Sequence, residues 1–307
     1  MKVLSLFDGI SCGRVALERA GFKVDKYYAS EVDKYAIKVS ENNHSDIIRL
    51  GDINNWRDWN IEWSDIDLVL AGSPCQGFSF AGKQLAFNDP RSKLFFVFID
   101  ILDHINGEKM LHYAPPVKFL LENVKMKKEY LDVISAHVGV EPVFINSSLV
   151  SAQNRQRYYW ANWDFGLPDD KGIVLSDILD NGAGVIKSYG EWKDKNNKSQ
   201  CLDANYFKGV DNHGQRTMVA FLEPKVIIRN KSKCIRAGGL RSYDRHEWDS
   251  ISDCHYRKLT PIECERLQTL PDNYTVSVSN TQRYKCLGNA WTVDVIAHIL
   301  RAMRTNP

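Results

Sequence analysis

Short apolar runs alternate with amphipathic stretches through the first half of the chain. Residues 3–7, Val-Leu-Ser-Leu-Phe, predict a buried strand that opens into a glycine-containing loop. Val15, Leu17 and Ala20 follow at roughly helical spacing, and Gly21 supplies a stop. A second strand is expected over residues 26–30, then a helix around residues 35–39 that ends near Asn42 and Asn43. Residues 66–71 read as a further strand. The apolar run from Leu94 to Leu102 is too long for an ordinary strand and predicts a buried helix. A strand over 117–121 and a helix over 130–138 complete the series. This βαβα alternation predicts an α/β fold: a Rossmann-like, doubly wound, mostly parallel sheet covered on both faces.

The pattern breaks near Gly166, Leu167 and Pro168. From Lys171 to Tyr256 the chain is polar and rich in Gly and Asn, with short strands at most. Helical patterning returns at residues 259–267, where Thr260 is placed as N-cap and Pro261 at the first helical position. A closing helix is expected from Trp291 to Met303. These shifts predict a main domain formed by residues 1–170 plus 257–307, with a small, irregular, β-rich domain inserted at 171–256.

Composition narrows the class rather than the chemistry. At 307 residues, about two domains' worth of chain, 44% hydrophobic and 25% charged residues are ordinary for a globular protein. No apolar run approaches the roughly 18 residues of a membrane span, and the first residues turn polar too soon for a signal peptide. No membrane association is expected. A net charge of +2 neither demands nor forbids nucleic acid; only a local patch could. The seven cysteines are odd in number and include no C-x-x-C pair, which argues against a disulfide framework or a zinc site. A reducing cytoplasm and no metal are the expectation.

Open parallel sheets bind ligands beyond the carboxyl ends of their strands, so those positions carry the candidate chemistry. The loop Phe7-Asp8-Gly9-Ile10-Ser11-Cys12-Gly13 is not G-x-G-x-x-G, so the backbone grip on a pyrophosphate is missing. Glu31 stands about 20 residues on, past the second strand, where an acid can bind ribose hydroxyls. Asp52 is placed to hold an adenine amino group. Taken alone, each acid is more often a cap or turn residue. Together, a glycine loop and two acids without a phosphate grip suggest S-adenosylmethionine rather than a dinucleotide. Cys75 follows a strand directly within Gly72-Ser73-Pro74-Cys75-Gln76-Gly77, a position that suits a nucleophile better than a core thiol. Glu122 follows the apolar Phe119-Leu120-Leu121, where partial burial could make it a proton donor; a helix cap is the competing reading. In a strand, Gln153, Arg155 and Arg157 would share one face, as donors to an oxygen or phosphate or as a solvated edge.

These motifs, in this order and across both ends of the chain, resemble the C5-cytosine DNA methyltransferases. Phe7-Asp8-Gly9 with Gly13 is similar to the family's cofactor loop, and Pro74-Cys75-Gln76 to its catalytic loop. Glu122-Asn123-Val124 is similar to its E-N-V motif, and Gln153, Arg155 and Arg157 to its Q-x-R-x-R motif. Residues 257–274 and 282–290 resemble the last two segments. Asp8, Cys12 and Trp291 depart from the residues common there, which are Ala, Gly and a small aliphatic. The resemblance implies a class I methyltransferase fold with an inserted target-recognition domain. It implies that Phe7, Gly9, Glu31, Val32, Asp52, Ile53, Pro74, Leu94, Asn289 and Ala290 hold S-adenosylmethionine. It implies Cys75 as nucleophile on cytosine C6, Glu122 as donor to N3, Arg155 on the base O2, and Arg157 positioning Glu122. The cytosine would be flipped from the duplex.

Within residues 225–245 of the insert, Lys225, Arg229, Lys231, Lys233, Arg236, Arg241 and Arg245 stand against only Asp244; such a run is usually a solvated face, and inside an insert that resembles a target-recognition domain it favours DNA. Arg236 and Arg241 suit guanine recognition, and Gly238 and Gly239 allow close backbone approach. Gln76 and Ser79, beside the nucleophile, are further DNA contacts. The expectation is therefore a monomeric DNA (cytosine-5)-methyltransferase of a restriction-modification system, acting on double-stranded DNA in a bacterial cytoplasm or, if phage-encoded, that of the host. An RNA-methylating enzyme of the same catalytic design and an inactive DNA-binding regulator are the alternatives; retention of Cys75 and Glu122 argues against the second.

Overall fold

The computed structural model describes residues 1–73, 93–180, 185–188, 191–194, 197–209, 216–221 and 255–305. Seven strands form the central sheet: β1 (Lys2–Leu6), β2 (Lys26–Ser30), β3 (Ile48–Gly51), β4 (Leu68–Ala71), β5 (Lys118–Val124), β6 (Val143–Asn146) and β7 (Gln156–Ala161). Their order is β3-β2-β1-β4-β5-β7-β6. The first five run parallel, and β7 is antiparallel to both of its neighbours. The order reverses between β1 and β4, which opens a crevice at their carboxyl ends.

Period-two alternation sends the strand side chains to opposite faces. Val3, Leu68, Leu70 and Leu120 pack on one face with helices α1 (Cys12–Arg19) and α7 (Val293–Thr305). Leu4, Leu6, Val69, Ala71, Phe119 and Leu121 pack on the other with α3 (Lys93–Leu111) and α4 (Lys128–Val138). In α3, buried Phe95, Phe98, Leu102 and Ile105 recur at helical spacing, as the long apolar run predicts. Helix α2 (Lys34–Asn43) begins at Asp33, whose carboxylate accepts the Tyr35 and Ala36 N–H groups at 2.8 and 3.2 Å. Helix α5 (Pro261–Leu267) opens with the expected Thr260 cap, made reciprocal by Glu263: the Glu263 N–H donates to Thr260 at 3.2 Å, and the Thr260 N–H to Glu263 at 2.7 Å.

Two expectations need correction. Strand β3 is not predicted by hydrophobic pattern, because it is an edge strand whose residues are half-buried or exposed. Gln153, Arg155 and Arg157 do not line one face of a strand. Strand β7 begins only at Gln156, and Gln153 forms an isolated bridge with Ser199. Nor is this a solvated edge, since β7 lies between β5 and β6.

The described parts of the insert include an antiparallel sheet, β8 (Val185–Ser188), β9 (Glu191–Asp194), β10 (Met218–Phe221) and β11 (His255–Lys258), in the order β11-β10-β8-β9. Leu175, Leu202, Tyr206 and Val219 bury in the same cluster as α7. Helix α6 (Asn280–Asn289) presses on this insert so closely that a Cβ at Gly288 would stand 2.3 Å from the Asp203 carbonyl carbon.

Candidate active site

The crevice is a cavity of about 460 Å³ lined from the carboxyl ends of the strands, a size usual for a small-molecule site. The loop after β1 is held in a special backbone shape: Phe7, Gly9 and Ser11 take φ of 59°, 57° and 62°. Two of the three are not glycine, so something must hold them there. Asp8 does part of this. Its buried carboxylate accepts from Ser11 and from Tyr27 Oη at 2.8 Å, and Arg49 stands 3.5 Å away. Burial pushes this carboxyl up, while the hydroxyls of Ser11, Ser5 and Tyr27 and the charge of Arg49 oppose the shift. Asp8 thus does structural work beneath the loop.

Glu31 ties this loop to the end of β2. One carboxylate oxygen accepts the Gly9 N–H at 2.7 Å, and the other accepts Val32 and Asp33 N–H groups at 2.8 Å each. Asp52 caps the short 3₁₀ helix Ile53–Asp58, accepting from Asn54 N and Nδ2 at 2.9 and 2.8 Å. Both acids line the cavity, with Asp33. Cap and cavity roles therefore coincide rather than compete. Phe7, Gly9, Val32, Ile53, Leu94, Asn289 and Ala290 also line it, so every described cofactor candidate faces one space. Pro74, Cys75, Gln76, Ser79, Arg236, Gly238, Gly239 and Arg241 lie outside the described residues.

The cavity is also lined by Glu122, 8% exposed, inside β5 rather than just beyond it. Strand β5 runs on because β7 pairs with it through Glu122, Asn123 and Val124. Arg157, opposite Val124, places Nε 2.8 Å from Glu122 Oε1. The next residue, Asn123, donates to Ser73 Oγ at 3.1 Å and so ties β5 to the end of β4.

A model of C-5 cytosine-specific DNA methylases matches residues 1–135 and 151–305. The chain belongs to this family. It is a DNA (cytosine-5)-methyltransferase. Among its relatives, the Type II methyltransferase M.NlaX of Neisseria lactamica is 29% identical over 99% of this chain and 96% of its own length. The Type II methyltransferase M.HaeII of Haemophilus aegyptius is 31% identical over 98% of this chain and 92% of its own. In fold, the methylase resembles Entamoeba histolytica EhMeth, with a TM-score of 0.70 and 19% identity, covering 99% of this chain and 98% of that one. It also resembles Spodoptera frugiperda DNMT2, with a TM-score of 0.64 and 21% identity over 99% of each chain.

Of the two arginines of the methylase, Arg157 meets Glu122, the residue it is expected to position, while Arg155 makes contacts that the sequence-based expectation does not include. Arg155, 3% exposed, turns both terminal nitrogens to backbone carbonyls: Leu202 at 3.2 Å, Gly288 at 3.3 Å and Ala290 at 2.8 Å. It therefore clasps the strap between α6 and α7 to the insert. Gln153 helps, donating to the Leu267 carbonyl at 3.2 Å and accepting the Leu202 N–H at 2.9 Å.

Trp291 and Asp33 are among the cavity residues that were not candidates from the sequence. The one signal for Trp291 was the departure from a small aliphatic at that position. Three described cysteines of the methylase are not nucleophile candidates. Burial pushes the Cys12 and Cys286 thiols up to about 12 and Cys264 well above its ordinary value. No helix among the described residues is long and apolar enough to cross a membrane, and no group of His, Cys, Asp and Glu there could hold a metal.

Proposed function

We propose that this enzyme takes its methyl group from S-adenosylmethionine and places it on C5 of a cytosine flipped from duplex DNA, through a covalent bond from Cys75 to C6. One observation carries the reading: a single cavity is lined by Glu31 and Asp52, which follow β2 and β3, and by Glu122 and Arg157 of β5 and β7. The residues fit the cofactor. The carboxylates of Glu31, Asp33 and Asp52 would repel a pyrophosphate but suit ribose hydroxyls and an adenine amino group. Val32, Ile53, Phe7 and Leu94 offer apolar surface to the purine. When bound, the cofactor supplies an electrophilic methyl on a sulfonium.

The remaining chemistry belongs to side chains. Cytosine C5 is a poor nucleophile. Addition of the Cys75 thiolate to C6 breaks the C5–C6 π bond and makes C5 enamine-like. Electron density moves toward N3, where the Glu122 carboxyl supplies the hydrogen-bonding partner. Arg157 orients Glu122 through its Nε contact, and its guanidinium at that carboxyl best supplies the donor for the base O2. Arg155, expected there, is occupied with the strap. After C5 takes the methyl, loss of the C5 proton lets the Cys75 sulfur leave with its bonding pair and restores the ring. The insert would choose the target sequence, with Arg236 and Arg241 as base readers and Gln76 and Ser79 near the flipped base. The Type II names of the relatives support a place in a restriction-modification system.

The test is expression in a host lacking cytosine methylation, followed by base-resolution sequencing of 5-methylcytosine. Methylation at one recurrent DNA sequence, lost in Glu122→Gln, is expected. Unmethylated DNA beside methylated tRNA would overturn the reading in favour of an RNA substrate.

A further inference from the structure

The indole of Trp291 reaches into the cavity beside Glu122. Its Nε1–H donates to Glu122 Oε2 at 3.2 Å, while Arg157 Nε meets Oε1 at 2.8 Å. Each carboxyl oxygen therefore has its own donor. The ring takes the space left by Gly72 and lies in ordinary contact range of Gly13. A Cβ at Gly72 would stand 2.8 Å from the indole nitrogen, and one at Gly13 would stand 3.6 Å from the ring edge. Gly13 lies in the first turn of α1, just after the cofactor loop, and Gly72 follows β4, so the ring spans from the α1 side to the end of β4.

The strap that carries this side chain is itself anchored. Arg155 holds the Ala290 carbonyl at 2.8 Å, and Thr292 Oγ1 donates to Gln268 Oε1 at 3.0 Å. Gln268 Nε2 in turn donates to the Leu287 carbonyl at 2.7 Å. We propose that Trp291 is a positioning residue for methyl transfer: its indole N–H fixes the second oxygen of Glu122, on a strap that Arg155 holds in place. Both arginines of the motif then converge on one carboxyl, Arg157 directly and Arg155 through Ala290 and Trp291. This rests on the reading of Glu122 as the hydrogen-bonding partner of the base.

A carboxyl held at one oxygen can still rotate about its last side-chain bond. Held at both, it presents one fixed edge to N3, and such preorganisation matters in the transition state more than in binding. Trp291→Phe keeps an aromatic ring on the glycine floor but removes the N–H together with part of the fused ring. Loss of a hydrogen bond to a charged group should lower kcat by about tenfold or more, with KM and affinity for S-adenosylmethionine within about twofold of the parent. Trp291→His, which restores a ring N–H, should recover part of the loss. An unchanged kcat in Trp291→Phe overturns the proposal. So does a fall in kcat matched by an equal fall in cofactor affinity, which would make the ring mere packing.

A second measurement needs no turnover. In the parent protein with ¹⁵N-labelled tryptophan, Glu122→Gln should shift one indole N–H signal, assigned to Trp291 because it vanishes in Trp291→Phe. No shifted indole signal in Glu122→Gln overturns the contact. If that signal moves while the parent methylates no DNA, the contact stands and the DNA reading fails.

Discussion

Glu31 meets three backbone N–H groups and still faces the cavity. Its carboxylate thus shapes the loop after β1 and presents charge to a ligand. Glu31→Ala should weaken S-adenosylmethionine binding by about tenfold or more, the scale of one lost charged hydrogen bond. Calorimetric titration checks this, and unchanged affinity would remove Glu31 from the site. A second expectation concerns thiols. At pH 8.5 an ordinary cysteine is about half ionised. With pKa values raised to about 12, Cys12 and Cys286 stay neutral there, as does Cys264. Since the thiolate is the reactive form, iodoacetamide at that pH should leave all three unmodified in the native protein, as read by peptide mass spectrometry. Rapid labelling of Cys12 in folded protein would contradict its burial.

Among the elements, α6 bears the tightest constraint. A methyl group at Gly288 would meet Asp203 and Ala204 backbone at 2.3–2.4 Å, and backbone cannot swing aside as a flexible side chain can. Gly288→Ala should therefore destabilise the protein by about 1–3 kcal/mol, the usual cost of overpacking. Thermal unfolding should show a lowered Tm, together with weaker activity as the strap shifts; an unchanged Tm would show that the seam yields. This seam was not legible in the sequence, because a glycine's demand for space is set by whatever folds against it. The same limit explains the other misses. Residues 48–51 form an edge strand with little buried surface, so no apolar alternation announces it. The extent of β5 depends on pairing with β7, which returns from a distant part of the chain. What could be read was what local physics dictates: the α3 run, the Thr260 cap, and strands whose two faces are both buried. The chemical groups were legible for another reason. Strand-end acids and motif residues sit at fixed offsets from strongly patterned strands. The contacts of Arg155 with Gly288 and Ala290, and of Trp291 with Glu122, span more than a hundred residues and carry no local pattern.

Across the whole molecule, the chain leaves the seven-stranded sheet after β7 and returns to pack α7 against it. Val293, Ile296, Ile299 and Leu300 of α7 bury in the cluster that also contains Val15, Ala16 and Leu17 of α1. Asp294 joins the two helices at Arg19, at 2.6 Å, and also meets Lys171 at 2.7 Å. That return brings the strap with Trp291 against Glu122, so residues 285–291 complete the cavity lined by residues between Phe7 and Arg157. The architecture serves one claim, that a Cys75 thiolate attacks a cytosine presented at Glu122. The most direct test uses duplex DNA with 5-fluorocytosine at the methylated position and S-adenosylmethionine. Fluorine at C5 cannot leave as a proton does, so elimination stops after methyl transfer. The account predicts a denaturation-resistant protein–DNA adduct carrying the transferred methyl. It also predicts that Cys75→Ala forms no adduct while still binding DNA, and that Cys264→Ala, if folded, forms it normally. An adduct that persists in Cys75→Ala would contradict the account.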